Sequence, residues 1–305
     1  MKDTIAIILP VFNHLEFTRR SLDEIALHTK ASDPDRFYTV VVDDGSTDGT
    51  SAWIEKNHPE VILLKGDGNL WWSGGMNMGA RYAVEKLGVD YILLYNNDIE
   101  LGKNYFSNLL RIIKETDKDT VIGSKVYVKE NHRMVWSMGG YFNTRNGRYG
   151  MYGYYEPDSE KYHRIVEVDW LAGMGTLIPV KVIGKIGYWD DVNFPQYHGD
   201  SDFTFRAKVN GFKIIVSPDL VIYNSVKNSG IDRKESIREI IDLMTDVRSK
   251  SNLKKNLLFY KKHSVSLLGY IPLFWIYFKL FGGFFKWKLL NIIGIQKKHV
   301  AEKTT

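Results

Sequence analysis

A chain of 305 residues with 44% hydrophobic and 25% charged residues has the balance of a folded globular protein, which excludes intrinsic disorder, and the lack of cysteine excludes a disulfide scaffold and thiolate metal sites while fitting a reducing compartment. The formal charge of +5 misleads, because ten lysines and no acidic residue lie between Lys250 and Lys298. Removing those ten from the 41 basic residues leaves 31 against 36 acidic ones, so the body is acidic and nucleic acid is not its expected partner.

The start, MKDTIAIILPVF, has a short apolar run ending at Pro10 and Asn13, which reads as a buried strand rather than a signal peptide. FYTVVV at 37–42 is a second β-branched run, and between the two lie Leu15, Leu22, Ile25 and Ala26 at helical spacing. Strand, helix, strand is a βαβ unit with a parallel pairing and a right-handed crossover. The pattern repeats with a helix from about Ser51 to Asn57, a strand at Val61–Leu64, a helix from about Gly75 to Leu87 and a strand at Tyr91–Tyr95. Val121–Val128 and Gly173–Pro179 begin two further units of mixed type. The expectation is one α/β domain over residues 1–235, with a mostly parallel central sheet flanked by helices, then a helical, lysine-rich segment over 236–305.

Open parallel sheets bind ligands at the carboxyl ends of their strands. Three such ends carry clustered polar residues here: Pro10, Phe12 and Asn13; Asp43, Asp44, Gly45, Ser46, Thr47 and Asp48; and Asn96, Asn97 and Asp98. Carboxylates that follow an apolar strand and precede a turn converge on one crevice. Taken alone, DDGSTD could be no more than a turn with a helix cap, since Asp, Ser and Gly favour such places.

VVVDDGSTDGT after LPVFN resembles the nucleotide-binding start of family 2 glycosyltransferases, which have the GT-A fold. The resemblance continues through GGMNMGARYA, a glycine-and-asparagine helix start; LLYNNDIEL, at the place of the metal-binding DXD motif; VDWLAGMGTLIPVKVIGKIGYWDD, an acceptor-side segment; and HGDSDFTFRAKVNGFKI, which is similar to the ED-x-D motif and its helix. Five motifs in the family's order are far more specific than any one of them.

The resemblance implies a role for each position, and elementary chemistry agrees. Phe12 suits stacking on a pyrimidine, and Asp44 suits the ring N–H, with Asp43 beside it on the rim. Gly75, Asn77 and Asn97 complete the expected nucleotide-sugar side. Asp98, the retained last acid of LLYNND, is the expected metal ligand. One carboxylate with diphosphate oxygens and water suits Mg²⁺ or Mn²⁺. Asp200 falls at the catalytic aspartate, the general base that takes the proton of the acceptor hydroxyl. Asp202, which opens the following helix, is expected on the acceptor side, as a cap favoured by the helix dipole or as a residue that supports the site from behind. Trp170 and Trp189 are the remaining acceptor-side candidates, with core packing as the competing role. Trp71 and Trp72 stand before the glycine-rich helix start, where sugar stacking and core packing are equally good accounts.

Departures from the pattern stand beside these matches. Asn96 and Asn97 replace the first acids of the DXD motif, Gly199 replaces the glutamate before the catalytic aspartate with His198 next to it, and Asn224 stands where many relatives have a metal-binding histidine. An amide oxygen is a weaker ligand than imidazole for a transition ion, which favours Mg²⁺ or a metal that binds only with the donor.

In the tail, SVSLLGYIPLFWIYF at 264–278 is uncharged and interrupted by Pro272, with Lys279 and Gly282–Gly283 following. That run is shorter than the ~20 residues of a spanning helix, and aromatic residues flanked by lysines suit an interfacial segment on an anionic surface. Packing on the catalytic domain or a homo-oligomer contact are the competing uses. The sequence reading is therefore an inverting glycosyltransferase, cytoplasmic and peripheral on the inner face of the cell membrane. It moves a sugar from dTDP-rhamnose or a UDP-hexose to a glycan or lipid-linked saccharide of a bacterial surface polysaccharide. A catalytically inactive carbohydrate-binding or scaffold protein of the same fold is the alternative.

Overall fold

The computed structural model describes residues 2–225 and 236–292. The described chain divides into two compact units: one runs to residue 230 without 143–148, and the other combines 143–148 with the chain from 231 onward. The expected boundary at 235 falls outside the described residues.

The first unit opens with β1 (Ile5–Val11), α1 (Leu15–Lys30), β2 (Phe37–Asp43), α2 (Thr50–Asn57), β3 (Ile62–Lys65), α3 (Trp71–Tyr82) and β4 (Tyr91–Leu94). β1 pairs in parallel with β2 on one side and β4 on the other, and β2 with β3. All four strands therefore end at one rim. Ile5, Ile7 and Leu9 point into one layer of packed side chains, Ala6 and Ile8 into another, and all five are fully buried. Burial on both faces explains why the strand reads as a continuous apolar run rather than an alternation. Helix α3 lies close on β1, because a Cβ on Gly75 would sit 2.9 Å from Pro10 Cβ.

Beyond β4 the unit continues with β5 (Ile99–Leu101), α4 (Tyr105–Glu115), β6 (Val121–Val128), β7 (Asn131–Ser137), β8 (Gly140–Phe142), β9 (Tyr149–Met151), β10 (Glu156–Pro157), β11 (Val166–Glu167), β12 (Thr176–Pro179), α5 (Val180–Ile186), α6 (Gly199–Val209) and β13 (Ile214–Asn224). The sheet order is β10-β7-β6-β12-β4-β1-β2-β3, with β13 running parallel to β6 and also pairing β5 and β11. β12 is antiparallel to both β4 and β6, and β7 returns against β6 as a hairpin. The sheet is thus parallel in its first four strands and mixed after them. The short link between β6 and β7 leaves no room for the crossover that a parallel pair needs. Buried Lys125 on β6 donates to Asp158 at 2.7 Å and to the Tyr162 carbonyl at 3.1 Å.

In the second unit, Ser236 caps α7 (Ile237–Thr245), its Oγ accepting from Glu239 N–H and donating to the Glu239 carboxylate. The hydroxyl thus satisfies one of the free N–H groups of the first turn while the glutamate three residues on holds it in place. Asn252 Oδ1 caps α8 (Leu253–His263) by accepting from Lys255 N–H at 3.0 Å. Tyr260 Oη donates to the Gly147 carbonyl and Val265 N–H to that of Thr144, which ties the six-residue piece into this unit. The final described helix, α9 (Ile271–Ile292), corrects the expectation of a short interrupted run. Pro272 sits in its first turn, where a missing N–H costs nothing, and the helix passes through Gly282–Gly283. Leu267–Leu289 is long and apolar enough to cross a membrane by length and composition. Phe274, Trp275, Phe278, Phe285 and Leu289 are exposed along it.

Candidate active site

The rim where β1, β2, β3 and β4 end is laced together by its own polar side chains. Asn13, in the left-handed region with φ 55°, donates its N–H to Ser46 Oγ at 2.7 Å, and its Oδ1 accepts from Thr47 N–H at 2.9 Å. Asp43 accepts from Ser46 N–H at 2.9 Å and from the Ser51 hydroxyl. Asp44 accepts three backbone N–H groups, from Gly68 and Leu70 at 2.9 Å and from Trp71 at 3.0 Å. Both carboxylates are buried. They build the β2–α2 turn and the β3–α3 loop, so the residues expected to read the base also hold the walls beside it. Phe12 is 50% exposed at the same rim, open for a ring to stack upon. Pro10 is covered by Gly75 of α3.

Helix α3 starts at Trp71, four residues before the expected Gly75, because Asp44 accepts the N–H groups of Leu70 and Trp71. Trp71 itself is held at φ 57°. The Trp72 indole N–H donates to Asn96 Oδ1 at 3.0 Å, and Trp72 N–H to Gln196 Oε1 at 3.3 Å. A Cβ on Gly173 would fall 2.3 Å from the Trp72 ring. Trp72 therefore joins the end of β4 to the loops before β12 and α6.

Two expected donor contacts are turned elsewhere. Asn77 Oδ1 accepts from Trp189 N–H at 2.9 Å, and its Nδ2 donates to the Trp189 carbonyl and to Asp191, each at 2.9 Å. Buried and bonded at both amide atoms, it anchors the 189–191 loop. Asn97 donates to Thr18 Oγ1 on α1 at 3.1 Å.

Asp98 lies in the turn between β4 and β5, open to solvent but walled by protein. Burial against those walls pushes its carboxyl above the usual carboxylate range, against smaller downward effects of its own backbone N–H and of Lys129. Asn224 ends β13 opposite Ile99, one residue from Asp98 across the ladder. Among the described residues no group of three His, Cys, Asp or Glu side chains could enclose a metal. One carboxylate and one nearby amide suit only an ion whose remaining ligands come from a bound diphosphate and water.

Asp200 stands in the first turn of α6, accepting from Gly173 N–H at 2.8 Å and Ser201 N–H at 2.7 Å. Burial raises its pKa above the ordinary carboxylate value despite those two bonds. His198, the residue before the helix, is in the left-handed region at φ 67°. The glycine between them has a steric cause: a Cβ on Gly199 would meet Ser73 Oγ at 2.1 Å, and that hydroxyl donates to the Phe194 carbonyl at 2.6 Å. A glutamate cannot occupy this position while Ser73 stays where it is.

The acceptor-side candidates separate. Asp202 is 0% exposed and bonds Arg206 Nε at 2.8 Å, while the same guanidinium donates to the Ile186 and Tyr188 carbonyls, so Asp202 is an interior brace rather than a surface group. Trp189 is 3% exposed, stacks on Phe203 with ring centroids 4.3 Å apart, and is a core residue. Trp170 is buried too, but Tyr149 stacks on it at 4.8 Å and is edge-on to His198 at 6.1 Å. That ring set ends two residues from Asp200. Tyr149, Gln196, Ser73 and Gly173 escaped the sequence reading; only Gly173, inside LAGMGT, carried a signal.

Residues 6–174 match the model of glycosyl transferase family 2. The chain belongs to that family. It is 26% identical over 195 residues to the low-salt glycan biosynthesis hexosyltransferase Agl10 of Haloferax volcanii, covering 64% of this chain and 60% of that protein. It is 22% identical to the N-acetylglucosaminyl-diphospho-decaprenol L-rhamnosyltransferase of Mycobacterium tuberculosis, covering 76% and 80% respectively. Its fold is similar to that of the mannosyltransferase PcManGT from Pyrobaculum calidifontis, solved with GDP-Man and Mn²⁺, with a TM-score of 0.54 at 16% identity over 75% of this chain and 59% of that one. GalNAc-T7, solved with UDP, GalNAc and Mn²⁺, gives 0.57 at 13% identity over 73% and 44%. The fold is therefore GT-A.

Proposed function

We propose that this family 2 chain is an inverting glycosyltransferase with Asp200 as its general base. The observation that carries the reading is the Asp200 carboxylate: fixed by two backbone N–H groups at a helix start and raised in pKa by burial. A base matched to its task sits nearer the working pH than a free aspartate does. The nucleotide of the donor would lie across the rim at Phe12, Asp43 and Asp44, with its diphosphate toward Asp98. The acceptor hydroxyl gives its proton to Asp200 while its oxygen bonds to the anomeric carbon, and the bond from that carbon to the diphosphate oxygen breaks. Asp98, with the Asn224 amide nearby, would hold Mg²⁺ or Mn²⁺ together with the diphosphate, and such an ion supplies charge neutralisation for the leaving group.

The rhamnosyltransferase relative supports a rhamnosyl donor, for which we propose dTDP-rhamnose, and a lipid-linked saccharide as acceptor, whereas Agl10 supports a hexose donor. A lipid-linked acceptor agrees with the exposed aromatic side of α9 and the lysine-rich tail, which would hold the enzyme peripherally on a membrane. The test is a thermal-shift screen of UDP, dTDP, GDP and CMP with and without Mg²⁺ or Mn²⁺, since a ligand bound only by the native state raises Tm. A pyrimidine nucleotide that raises Tm only with metal supports the donor site. No shift with any nucleotide overturns it in favour of an inactive carbohydrate-binding protein. Co-sedimentation with vesicles containing anionic lipid tests the membrane attachment.

A further inference from the structure

The second unit holds a groove with no part in the chemistry above. Its cavity of about 670 Å³ is walled by Ile241 and Met244 of α7, Leu253, Leu257 and Leu258 of α8, and Phe281 of α9. That volume lies within the range of small-ligand sites. The stretch from Leu253 to Lys261 carries the groove about 12 Å along α8.

Among the described residues four polar side chains border it, and two of them are committed nearby. The Thr245 hydroxyl donates to the Ile241 carbonyl at 2.9 Å. Asn252 Oδ1 accepts from Lys255 N–H, and its Nδ2 donates to the carbonyls of Thr245 at 2.9 Å and Asp246 at 3.0 Å. A peptide laid in this groove could give its carbonyls to the lysines but would find no carboxylate or uncommitted amide oxygen in the lining to accept from its N–H groups, and burying unpaired amides is costly. What remains is hydrocarbon and two exposed ammonium groups, Lys254 and Lys261, seven residues apart on α8. No acidic residue occurs between Lys250 and Lys298, and the carboxylates among the described residues of this unit are Glu239, Asp242 and Asp246 on or at the end of α7.

We infer that this groove binds one hydrocarbon chain of a phosphate-bearing amphiphile, with the phosphate between Lys254 and Lys261. Charge complementarity selects the phosphate and the apolar lining selects the chain; a neutral lipid would leave both lysines unused. The site adds a binding pocket to the membrane reading given above. The two have separate readouts, because attachment is measured on vesicles and the groove with a soluble probe.

The experiment uses the full chain in a neutral maltoside detergent, irradiated with a single-chain alkyl phosphate bearing a terminal diazirine. Labelled residues are mapped by mass spectrometry. Labels should fall on α7, α8 and Phe281, and excess dodecyl phosphate should remove them while dodecanol and inorganic phosphate do not. Reversing both lysines (Lys254→Glu with Lys261→Glu), at exposed positions, should cut labelling about tenfold. Leu257→Asp, also exposed, should do the same from the apolar side. Labels spread along the outward face of α9, equal competition by dodecanol, competition by inorganic phosphate alone, or unchanged labelling after charge reversal would each overturn the assignment.

Discussion

The two ends of the crevice treat their carboxylates differently. At the strand ends Asp43 and Asp44 are buried and accept hydrogen bonds from the turn and loop they shape, Asp44 from three N–H groups. At the start of α6 Asp200 accepts two, and burial lifts its pKa. Acids that look alike in sequence thus divide into one pair that builds the rim and one residue, the proposed base, whose carboxyl is raised.

That division is most sharply tested by Asp200→Asn, which keeps the size and removes the base. Transfer should fall by about 10²–10⁴-fold with Tm and nucleotide binding little changed. Equal losses of stability and rate would show Asp200 to be structural. In the wild type the rate should climb with pH through the folded pKa of Asp200, since the base works deprotonated, and that acidic limb should lie above the ordinary value of 3.8. A limb at or below 3.8 would remove the role given to burial.

Asp44→Ala should show the opposite balance. Three backbone donors lose their acceptor at once, for a cost on the order of 3 kcal/mol, read as a lower denaturant midpoint together with lost nucleotide binding. If stability is untouched, the loop at 66–71 is held by something other than Asp44. Gly199→Ala brings a Cβ against Ser73 Oγ and should cost about 1–3 kcal/mol. Adding Ser73→Gly should recover part of that loss, and simple additivity would dismiss the contact.

A carboxylate outside the crevice supplies the reverse pKa case. Burial alone would raise Asp158, but hydrogen bonds from Lys125, Tyr127 and His163 hold it at about 2. Its folded value lies below the ordinary 3.8, so its contribution to stability is present above 3.8 and lost as pH falls toward 2. Acid titration of stability should show that loss in the wild type and a shallower one in Lys125→Met. The smallest effect concerns Trp189, whose buried indole N–H finds no acceptor among the described residues. Trp189→Phe removes the orphaned donor as it loses some packing, and should move stability by no more than about 1 kcal/mol with activity retained. A large loss of acceptor use would return Trp189 to the acceptor side.

The strands and rim were legible because apolar runs ending in polar turns follow from burial on both sheet faces, as at Ile5–Val11 and Phe37–Asp43. Asp200 and Asp98 were legible as positions, though not the pKa of either, which depends on surrounding walls. Less legible was anything decided by a distant partner. The start of α3 depends on Asp44, 27 positions before Trp71. Asn77 resembled a ligand contact until the 189–191 backbone was seen to use its amide, and for Asp202 the sequence could not name Arg206 as the partner that covers it. The length of α9 was misjudged because a proline and two glycines suggest interruption, whereas this proline occupies the one turn that tolerates it.

The six residues at 143–148 change what an exchange of tails between relatives would involve. Their carbonyls are partners of Tyr260 and Val265, so the second unit is assembled from two separate stretches of chain. A chimera that imports a foreign tail at residue 231 inherits a hairpin tip cut for a different lock. Grafts should carry both pieces together, and natural variation in the tip should follow variation in the tail even though some eighty positions separate them in the sequence.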